Sequence, residues 1–154
     1  MINRNRKLMI EQLDRKIAKL GILRQVEVPQ KGWINAVRTA LNMSLVQLAR
    51  KLDKQPATIK EIEEREQSKS ITLKKLIEVG NALDLQFVYG FLPKDTSIEK
   101  MIEKRAKEVA REIVLRTSQT MKLENQENRQ ERLEQAIKDR TDILKQEIPK
   151  HLWD

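Results

Sequence analysis

The stretch "SLVQLARKLDKQPATIKEIEE", residues 44–64, holds two apolar repeats of helical spacing on either side of a short polar turn. Ser44 is followed three residues later by Gln47, the capping-box pattern in which two side chains satisfy backbone donors at a helix start. Pro56 suits the first turn of the next helix, where its missing amide would have no partner. The spacing therefore predicts a helix-turn-helix, a motif whose second helix enters the major groove of DNA.

Helical spacing continues on both sides of this motif, so that four short helices fall within about fifty residues. The residues predicted to face inward are Trp33, Val37 and Leu41 in the helix before the turn motif, Ala57, Ile59 and Ile62 in its second helix, and Leu73, Leu76, Ile77, Val79 and Leu83 in the helix that Thr72 opens.

Positive charge is concentrated toward the N-terminal side of the chain. The formal net charge is +8, and residues 1–31 hold eight Lys and Arg against three acids. Residues 32–94 hold ten against seven, whereas residues 95–154 hold thirteen of each. A basic surface favours a polyanionic partner, so we expect the N-terminal two thirds to bind nucleic acid and the remainder to serve another role.

Several classes of function find no support in the composition. There is no cysteine, which excludes disulfides and thiolate metal sites, and no apolar run approaches the roughly 20 residues that a membrane-spanning helix needs. The one histidine, His151, is expected to be solvated rather than to act as a base. Because "MINRNRKLMIEQLDRK", residues 1–16, lacks the unbroken apolar core of a secretory signal, we expect a cytoplasmic protein. Without a metal-ligand cluster, a glycine-rich phosphate loop or an activated nucleophile, we expect that it is not an enzyme and holds no metal or cofactor.

Residues 1–31 are predicted to form a basic amphipathic helix followed by a linker that contains Pro29. The apolar stripe of this helix consists of Leu8, Leu13, Ile17 and Leu20. Something must cover this stripe. The sequence leaves open whether the basic helix touches DNA or only packs on a core.

Residues 85–93, "LQFVYGFLP", alternate in the manner of a β-strand, with Leu85, Phe87, Tyr89 and Phe91 on one side. A single strand leaves its own backbone unpaired, and the rest of the chain reads as helical. We therefore predict that the same strand of a second subunit pairs with it and makes a homodimer. The alternative is an extended segment packed on its own core.

Residues 94–154 are predicted to form C-terminal helices. "DTSIEK" begins a helix whose apolar positions continue to Leu115, and "RTSQT", residues 116–120, interrupts it. Residues 128–147 are very polar, with a thin apolar seam formed by Leu133, Ile137 and Leu144. This composition leaves open whether the stretch folds without a partner.

The motif resembles the lambda-repressor-like (XRE) helix-turn-helix family over about residues 33–83, in "LVQLARKL", "PATIKEIE" and "ITLKKLIEVGNAL". The resemblance implies a DNA-binding domain at residues 32–84. It places Gln55, Ala57, Thr58, Lys60 and Glu61 against base edges, and Ser44, Arg50, Lys54 and Arg65 against phosphates. Because "EIEERE", residues 61–66, is acidic, we expect its glutamates to point away from phosphate or toward a neighbouring basic group. Some members of this fold bind proteins, and the acidity keeps that alternative open.

The wider layout, which includes "GWINAVRTALNMSLVQLARKL", "LQFVYGFLPK" and "TSQTMKLENQ", resembles the family called mobile mystery protein A over most of residues 8–126. Genes of this family accompany a Fic-domain protein, so the resemblance implies a Fic-domain adenylylating enzyme as a partner. Such enzymes are commonly restrained by a helix of pattern Ser/Thr-x-x-x-Glu-Gly/Asn, which Thr120, Glu124 and Asn125 match. The resemblance implies that Glu124 carries the inhibition, that Asn125 assists beside the nucleotide site, and that Thr120 caps or orients the inhibitory helix. Taken alone, "TMKLEN" is also an ordinary helix start.

These patterns predict an all-α fold with a helix-turn-helix domain of four to five short helices, one short dimerising strand at 85–93, and C-terminal helices carrying the inhibitory motif at 120–125. The predicted function is a DNA-binding antitoxin and autorepressor of a toxin–antitoxin operon, which neutralises a Fic-domain toxin by inserting Glu124 near the ATP site. The alternative is a plain dimeric XRE-type repressor. The expected partners are double-stranded operator DNA, the Fic-domain toxin and a second copy of the chain. We expect no binding to a membrane.

Overall fold

The structure is a computed structural model that describes residues 4–120 and 126–154, except for the side chains of residues 119–120 and 126–128. Its helices are α1 (Arg4–Leu20), α2 (Trp33–Ala40), α3 (Leu45–Leu52), α4 (Pro56–Gln67), α5 (Leu73–Ala82), α6 (Ile98–Thr120) and α7 (Gln126–Glu147), with 3-10 helices at Gly21–Gln25 and Lys150–Trp153. Across these two ranges every regular element is a helix, which confirms the all-α class.

The chain divides into two compact units. Gln25–Tyr89 forms the central unit, and the residues up to Arg24 together with Gly90–Asp154 form the flanking unit. The central unit contains the four short helices predicted between Trp33 and Leu83. They enclose a core made of Ile34, Leu48, Ala49, Ile59, Ile62, Val79 and Leu83.

Local side-chain chemistry starts and ends the helices of the central unit. The capping box of α3 is confirmed, because the Gln47 amide donates to Ser44 Oγ at 3.1 Å and the Ser44 amide donates to Gln47 Oε1 at 2.8 Å. Asp53 ends α3 in the left-handed conformation at φ 54°, and Pro56 is the first residue of α4. Thr72 caps α5 by accepting from the Lys75 amide.

Parts of the predicted inner faces are wrong. Trp33 and Leu41 are about half exposed, and Ile34 is buried instead. The side of α2 that carries Ile34 and Arg38 faces inward because α4 binds both residues, through Glu66 and Glu63. Leu73 and Ile77 are also about half exposed. Ala57, which the apolar pattern assigned to the inside and the family resemblance to the outside, is exposed.

The strand predicted at residues 85–93 does not form within the chain. The Leu85 amide donates to the Gly80 carbonyl at 2.8 Å, and residues 86–92 make no hydrogen bond to another backbone group. A strand requires a paired neighbour, and no segment of residues 4–120 or 126–154 supplies one. Phe91 is 89% exposed, so the alternative of packing on a local core does not describe this end of the segment either.

The flanking unit is a bundle in which α1 and α7 both pack on α6. Its core consists of Ile102, Ala106, Val109, Ala110, Leu144 and Leu152. The thin apolar seam of residues 128–147 is therefore covered by α6 within the chain itself. The stripe predicted for α1 is partly wrong, because Leu8 and Leu13 are about half exposed whereas Ile10 packs against the core.

Side chains from α1 bind the start of α6 and the end of α7. Asp14 accepts from the amides of Ile98 and Glu99 at 2.7 and 3.2 Å, so α1 supplies a cap for α6. Arg6 donates to the carbonyl of Glu147, the last residue of α7, and to that of Ile148. These bonds join parts of the chain more than eighty residues apart.

The interruption predicted at residues 116–120 is also wrong, since α6 continues to Thr120. Thr117 Oγ1 donates to the Ile113 carbonyl at 2.9 Å, and Ser118 Oγ donates to the Leu115 carbonyl at 3.0 Å. The two hydroxyls are satisfied by carbonyls of the preceding turn, so they do not end the helix.

Candidate nucleic-acid interface

The inner side of α4 is held by two apolar and two acidic residues. Ile59 and Ile62 lie in the core of the central unit, and Glu63 is only 8% exposed. Glu66, one turn further on, is half-buried. These four residues decide which side of α4 faces outward.

Glu63 is the centre of a buried hydrogen-bond network. Arg38 on α2 donates to it through Nε at 2.5 Å and through Nη2 at 3.2 Å, and Asn35 donates through its amide at 3.0 Å. Burial alone raises the pKa of Glu63, but the hydrogen bonds from Arg38 and Asn35 outweigh it and hold that pKa below its ordinary value. Arg38 Nη1 also donates to the Met43 carbonyl, in the turn before α3, so one guanidinium joins α2, α4 and that turn.

Glu66 caps α2 from the last turn of α4. Its carboxylate accepts from the amides of Trp33 and Ile34 at 2.7 and 2.8 Å, which places a negative charge at the positive end of the α2 dipole. Gly32 precedes these amides at φ 89°, and a Cβ there would lie 2.7 Å from the Glu66 carboxyl carbon. The positive φ favours glycine at this position, and a Cβ would in addition displace the Glu66 carboxylate.

Two of the four acids in this run therefore point toward α2, and the other two, Glu61 and Glu64, are exposed. Glu63 and Glu66 bind α2, and Glu61 Oε1 accepts from Arg65 Nη2 on the surface. The prediction that these glutamates point away from phosphate or toward a basic group agrees with the arginine partners of Glu61 and Glu63 and with the inward direction of Glu66. Glu64 is exposed and has no such partner among the described contacts.

The residues predicted to face base edges lie on this outer side. Gln55, Ala57, Lys60 and Glu61 are exposed and Thr58 is half-buried. Gln55 stands at the N-cap of α4 but makes no capping bond with its side chain, so its amide retains both donor and acceptor groups. An amide of this kind can pair with the two groups that adenine presents in the major groove.

The residues predicted to contact phosphate are all exposed: Ser44, Arg50, Lys54 and Arg65. Ser44 Oγ accepts a bond from Gln47 and keeps its hydroxyl hydrogen for a phosphate oxygen. Arg65 lies about 14 Å along α4 from Pro56 and is paired with Glu61.

Lys74 and Lys75, at the start of α5, were missed by the sequence reading. Lys75 Nζ donates to Glu78 at 3.0 Å, which lowers the pKa of Glu78, and the charges of Lys54 and Lys74 act in the same direction. Three lysines therefore lie close to one carboxylate beside the turn between α3 and α4. The signal was present in the sequence, because two cations in a first helical turn that holds no acid oppose the helix dipole.

Comparison with known proteins bears on this unit. The model of the helix-turn-helix family matches residues 34–89. The match supports an XRE-type helix-turn-helix domain in this part of the chain, and a domain of this type suggests a DNA-binding regulator of transcription. No curated protein and no solved structure matches the chain. None of the helices in residues 4–120 and 126–154 combines the length and apolar character needed to cross a membrane.

The structure does not describe the side chains of the residues predicted to inhibit a toxin. Thr120 is the last residue of α6, and its side chain lies outside the described residues, as do Glu124 and Asn125. The resemblance to mobile mystery protein A stays a prediction.

Proposed function

We propose that the protein is a dimeric, sequence-specific transcriptional repressor that reads its operator with the N-terminal half of α4. The observation that supports this most directly is the arrangement of the acidic run. Glu63 and Glu66 bind α2, which leaves Gln55, Thr58 and Lys60 as the polar groups at the leading end of the helix. Without these inward bonds, α4 would present its carboxylates to the phosphates.

The exposed segment that follows α5 supports a homodimer. Leu85, Phe87, Tyr89 and Phe91 lie on a stretch that is apolar and whose backbone groups at 86–92 have no backbone partner. Phe87 and Tyr89 stack with ring centroids 5.8 Å apart. Residues 86–92 carry no charge, so antiparallel pairing of two copies brings no like charges together.

A homodimer also meets a geometric need of DNA reading. Two helix-turn-helix units related by a two-fold axis place their recognition helices in successive major grooves, about 34 Å apart. We therefore expect selection from a random duplex library to enrich an inverted repeat with half-site centres about 10 base pairs apart. Failure to enrich any sequence would contradict sequence-specific binding, and enrichment of a single half-site would contradict the dimer.

The dimer segment has its own test. Phe91→Arg should convert the dimer to a monomer in sedimentation experiments, because the charge would be buried in the interface. Val28→Arg changes an exposed apolar residue of the central unit outside the segment and is the matched control. An unchanged dimer in Phe91→Arg would exclude this segment as the interface.

A second function, neutralisation of a Fic-domain toxin, is favoured by the pattern at Thr120, Glu124 and Asn125. It is favoured further because the flanking unit has its own core, which DNA reading by α4 does not require. In this proposal the same chain represses transcription and neutralises the toxin, and the operator controls the genes of both proteins.

The proposed inhibition is electrostatic. Fic-type active sites bind ATP phosphates through arginines. A carboxylate delivered by Glu124 would pair with one such arginine in a bidentate manner and exclude the productive position of the γ-phosphate. Asn125 would act beside the nucleotide and Thr120 would orient the segment.

Co-expression with the neighbouring gene product separates these functions. If Glu124 inhibits a toxin, the wild-type chain restores growth and suppresses target adenylylation, whereas Glu124→Ala and Glu124→Gly do neither while remaining folded. Equal rescue by all three chains would exclude Glu124 as the inhibitory group. A neighbouring gene without a Fic signature would favour the plain repressor.

A further inference from the structure

Most of the positive charge of the chain lies outside the helix-turn-helix unit. Residues 1–24 hold seven Lys and Arg against two acids, a net charge of +5. Residues 25–89, which include the whole central unit, hold ten against eight, a net charge of only +2. A polyanion would therefore be attracted most strongly by α1.

The packing of α1 turns this charge outward. Ile10 packs against the core of the flanking unit and Ile17 is buried, and Asp14 is engaged as the cap of α6. The side chains that remain exposed include Arg4, Lys7, Arg15, Lys16 and Lys19. None of these five forms an ion pair within residues 4–120 and 126–154.

Four of these cations share one side of the helix. At 100° per residue, Arg4, Lys7, Arg15 and Lys19 fall within a sector of about 120°, which we call the α1 cationic face. Glu11 is the one acid in this sector. The face extends for about 22 Å along the helix axis, comparable with about six base-pair steps of one DNA strand.

The like charges at the two ends of this face repel each other, whereas Glu11, four residues from both Lys7 and Arg15, offsets repulsion only in its middle. Arg4 and Lys7 are three residues apart and Arg15 and Lys19 are four apart, the spacings at which like charges repel on a helix surface. The first turn of α1 contains no acid, so its cations also oppose the helix dipole. A bound row of phosphates would relieve both effects.

We propose that the α1 cationic face is a second DNA-binding surface, which contacts the phosphate backbone of the duplex that α4 reads. The inference rests on the proposed DNA-binding function and adds to it an affinity that does not depend on sequence. The segment from Gly21 to Gly32 joins α1 covalently to α2, so binding by α4 raises the concentration of DNA available to α1. An anionic membrane surface would attract the same cations, and the binding to vesicles in the test below distinguishes it from DNA.

The test compares two triple variants of the full chain that remove the same charge. The first, Arg4→Gln with Arg15→Gln and Lys19→Gln, removes three cations of the face. The control, Lys107→Gln with Arg111→Gln and Lys138→Gln, removes three exposed cations of α6 and α7. A third chain, Arg4→Lys with Arg15→Lys, keeps the charge of the face. Circular dichroism and unfolding midpoints establish that all are folded.

The measurement is the affinity for a fluorescent duplex of random sequence between about 50 and 200 mM salt. If three phosphate contacts are lost, the slope of log K against log[salt] should become shallower by about 2.7 in the first variant, and the control and charge-keeping chains should match the wild type. Equal slopes for the two triple variants would overturn the proposal. It would also be overturned if the first variant kept its affinity for DNA but lost its binding to anionic vesicles. If the wild type binds no duplex of any sequence, the DNA-binding function itself fails.

Discussion

Replacing Arg38 by methionine should destabilise the central unit more than other single changes on its surface. The variant loses two hydrogen bonds to Glu63 and one to the Met43 carbonyl. It leaves a carboxylate that is 8% exposed with Asn35 as its remaining donor. Breaking a buried ion pair from one side costs about 3–5 kcal/mol. Both side chains keep some solvent contact, so we expect about 3 kcal/mol, or a fall in Tm of roughly 12–24 °C for a domain of this size.

The loss should depend on pH. In the wild type, the pKa of Glu63 is below its ordinary value, so its contribution is present above the unfolded pKa of about 4.3 and is lost as pH falls through the lower folded pKa. Without Arg38, burial dominates and raises the pKa of Glu63. In the variant, the free-energy cost of the unpaired Glu63 carboxylate is present above that raised pKa. The cost disappears as pH falls through this pKa, because the carboxyl group becomes neutral. The stability difference between the two proteins should therefore be largest near pH 7 and narrow toward pH 4.

Urea unfolding followed by tryptophan fluorescence can report on this unit alone. The chain has two tryptophans, and the Trp153→Phe background leaves Trp33, the first residue of α2, as the only reporter. The control is Arg38→Met with Glu63→Met, in which the unpaired charge is absent and most of the stability should return. A loss below about 1 kcal/mol at pH 7, or the same loss at pH 4.5, would refute the argument.

Three further changes probe other contacts. Gly32→Ala should cost about 1–3 kcal/mol in the same fluorescence assay, because the residue keeps a positive φ and its Cβ would meet Glu66; an unchanged midpoint would mean that the contact is not tight. Glu61→Gln should strengthen binding to random duplex and steepen the salt slope by about 1, because Arg65 is released; weaker binding would contradict this. Asp14→Ala should cost about 1–2 kcal/mol in unfolding followed by Trp153, because two amides of α6 lose their acceptor; equal stability would exclude the cap.

The helix boundaries of the central unit follow from chemistry that is local in the sequence. Ser44 with Gln47, Pro56 and Thr72 each act within one turn, so a reader of the sequence can assign them without the fold. The outer face of α4 was predictable only in part. Ile59 and Ile62 mark the inner side, but the pattern also placed Ala57 there and did not assign Glu63 and Glu66 to it.

The bonds that orient the helices were not predictable. Glu63 meets Arg38 from 25 residues away, and Glu66 meets Trp33 from 33 residues away, distances at which a local repeat carries no information. The acids of "EIEERE" suggested partners, but only the fold identifies them. Residues 85–93 show the same limit. The alternation of their side chains indicates which residues share a face, but it does not show whether another strand pairs with the segment.

The central claim, that the N-terminal half of α4 reads operator sequence, is tested most directly by Gln55→Ala and Lys60→Ala. Their affinities should be measured by fluorescence anisotropy on the selected operator and on random duplex. Both side chains are exposed, so the fold should be unaffected. The account predicts that each variant loses about tenfold or more on the operator, the cost of one base contact, and that Gln55→Ala keeps its affinity for random duplex. Operator binding at wild-type strength in both variants would contradict it.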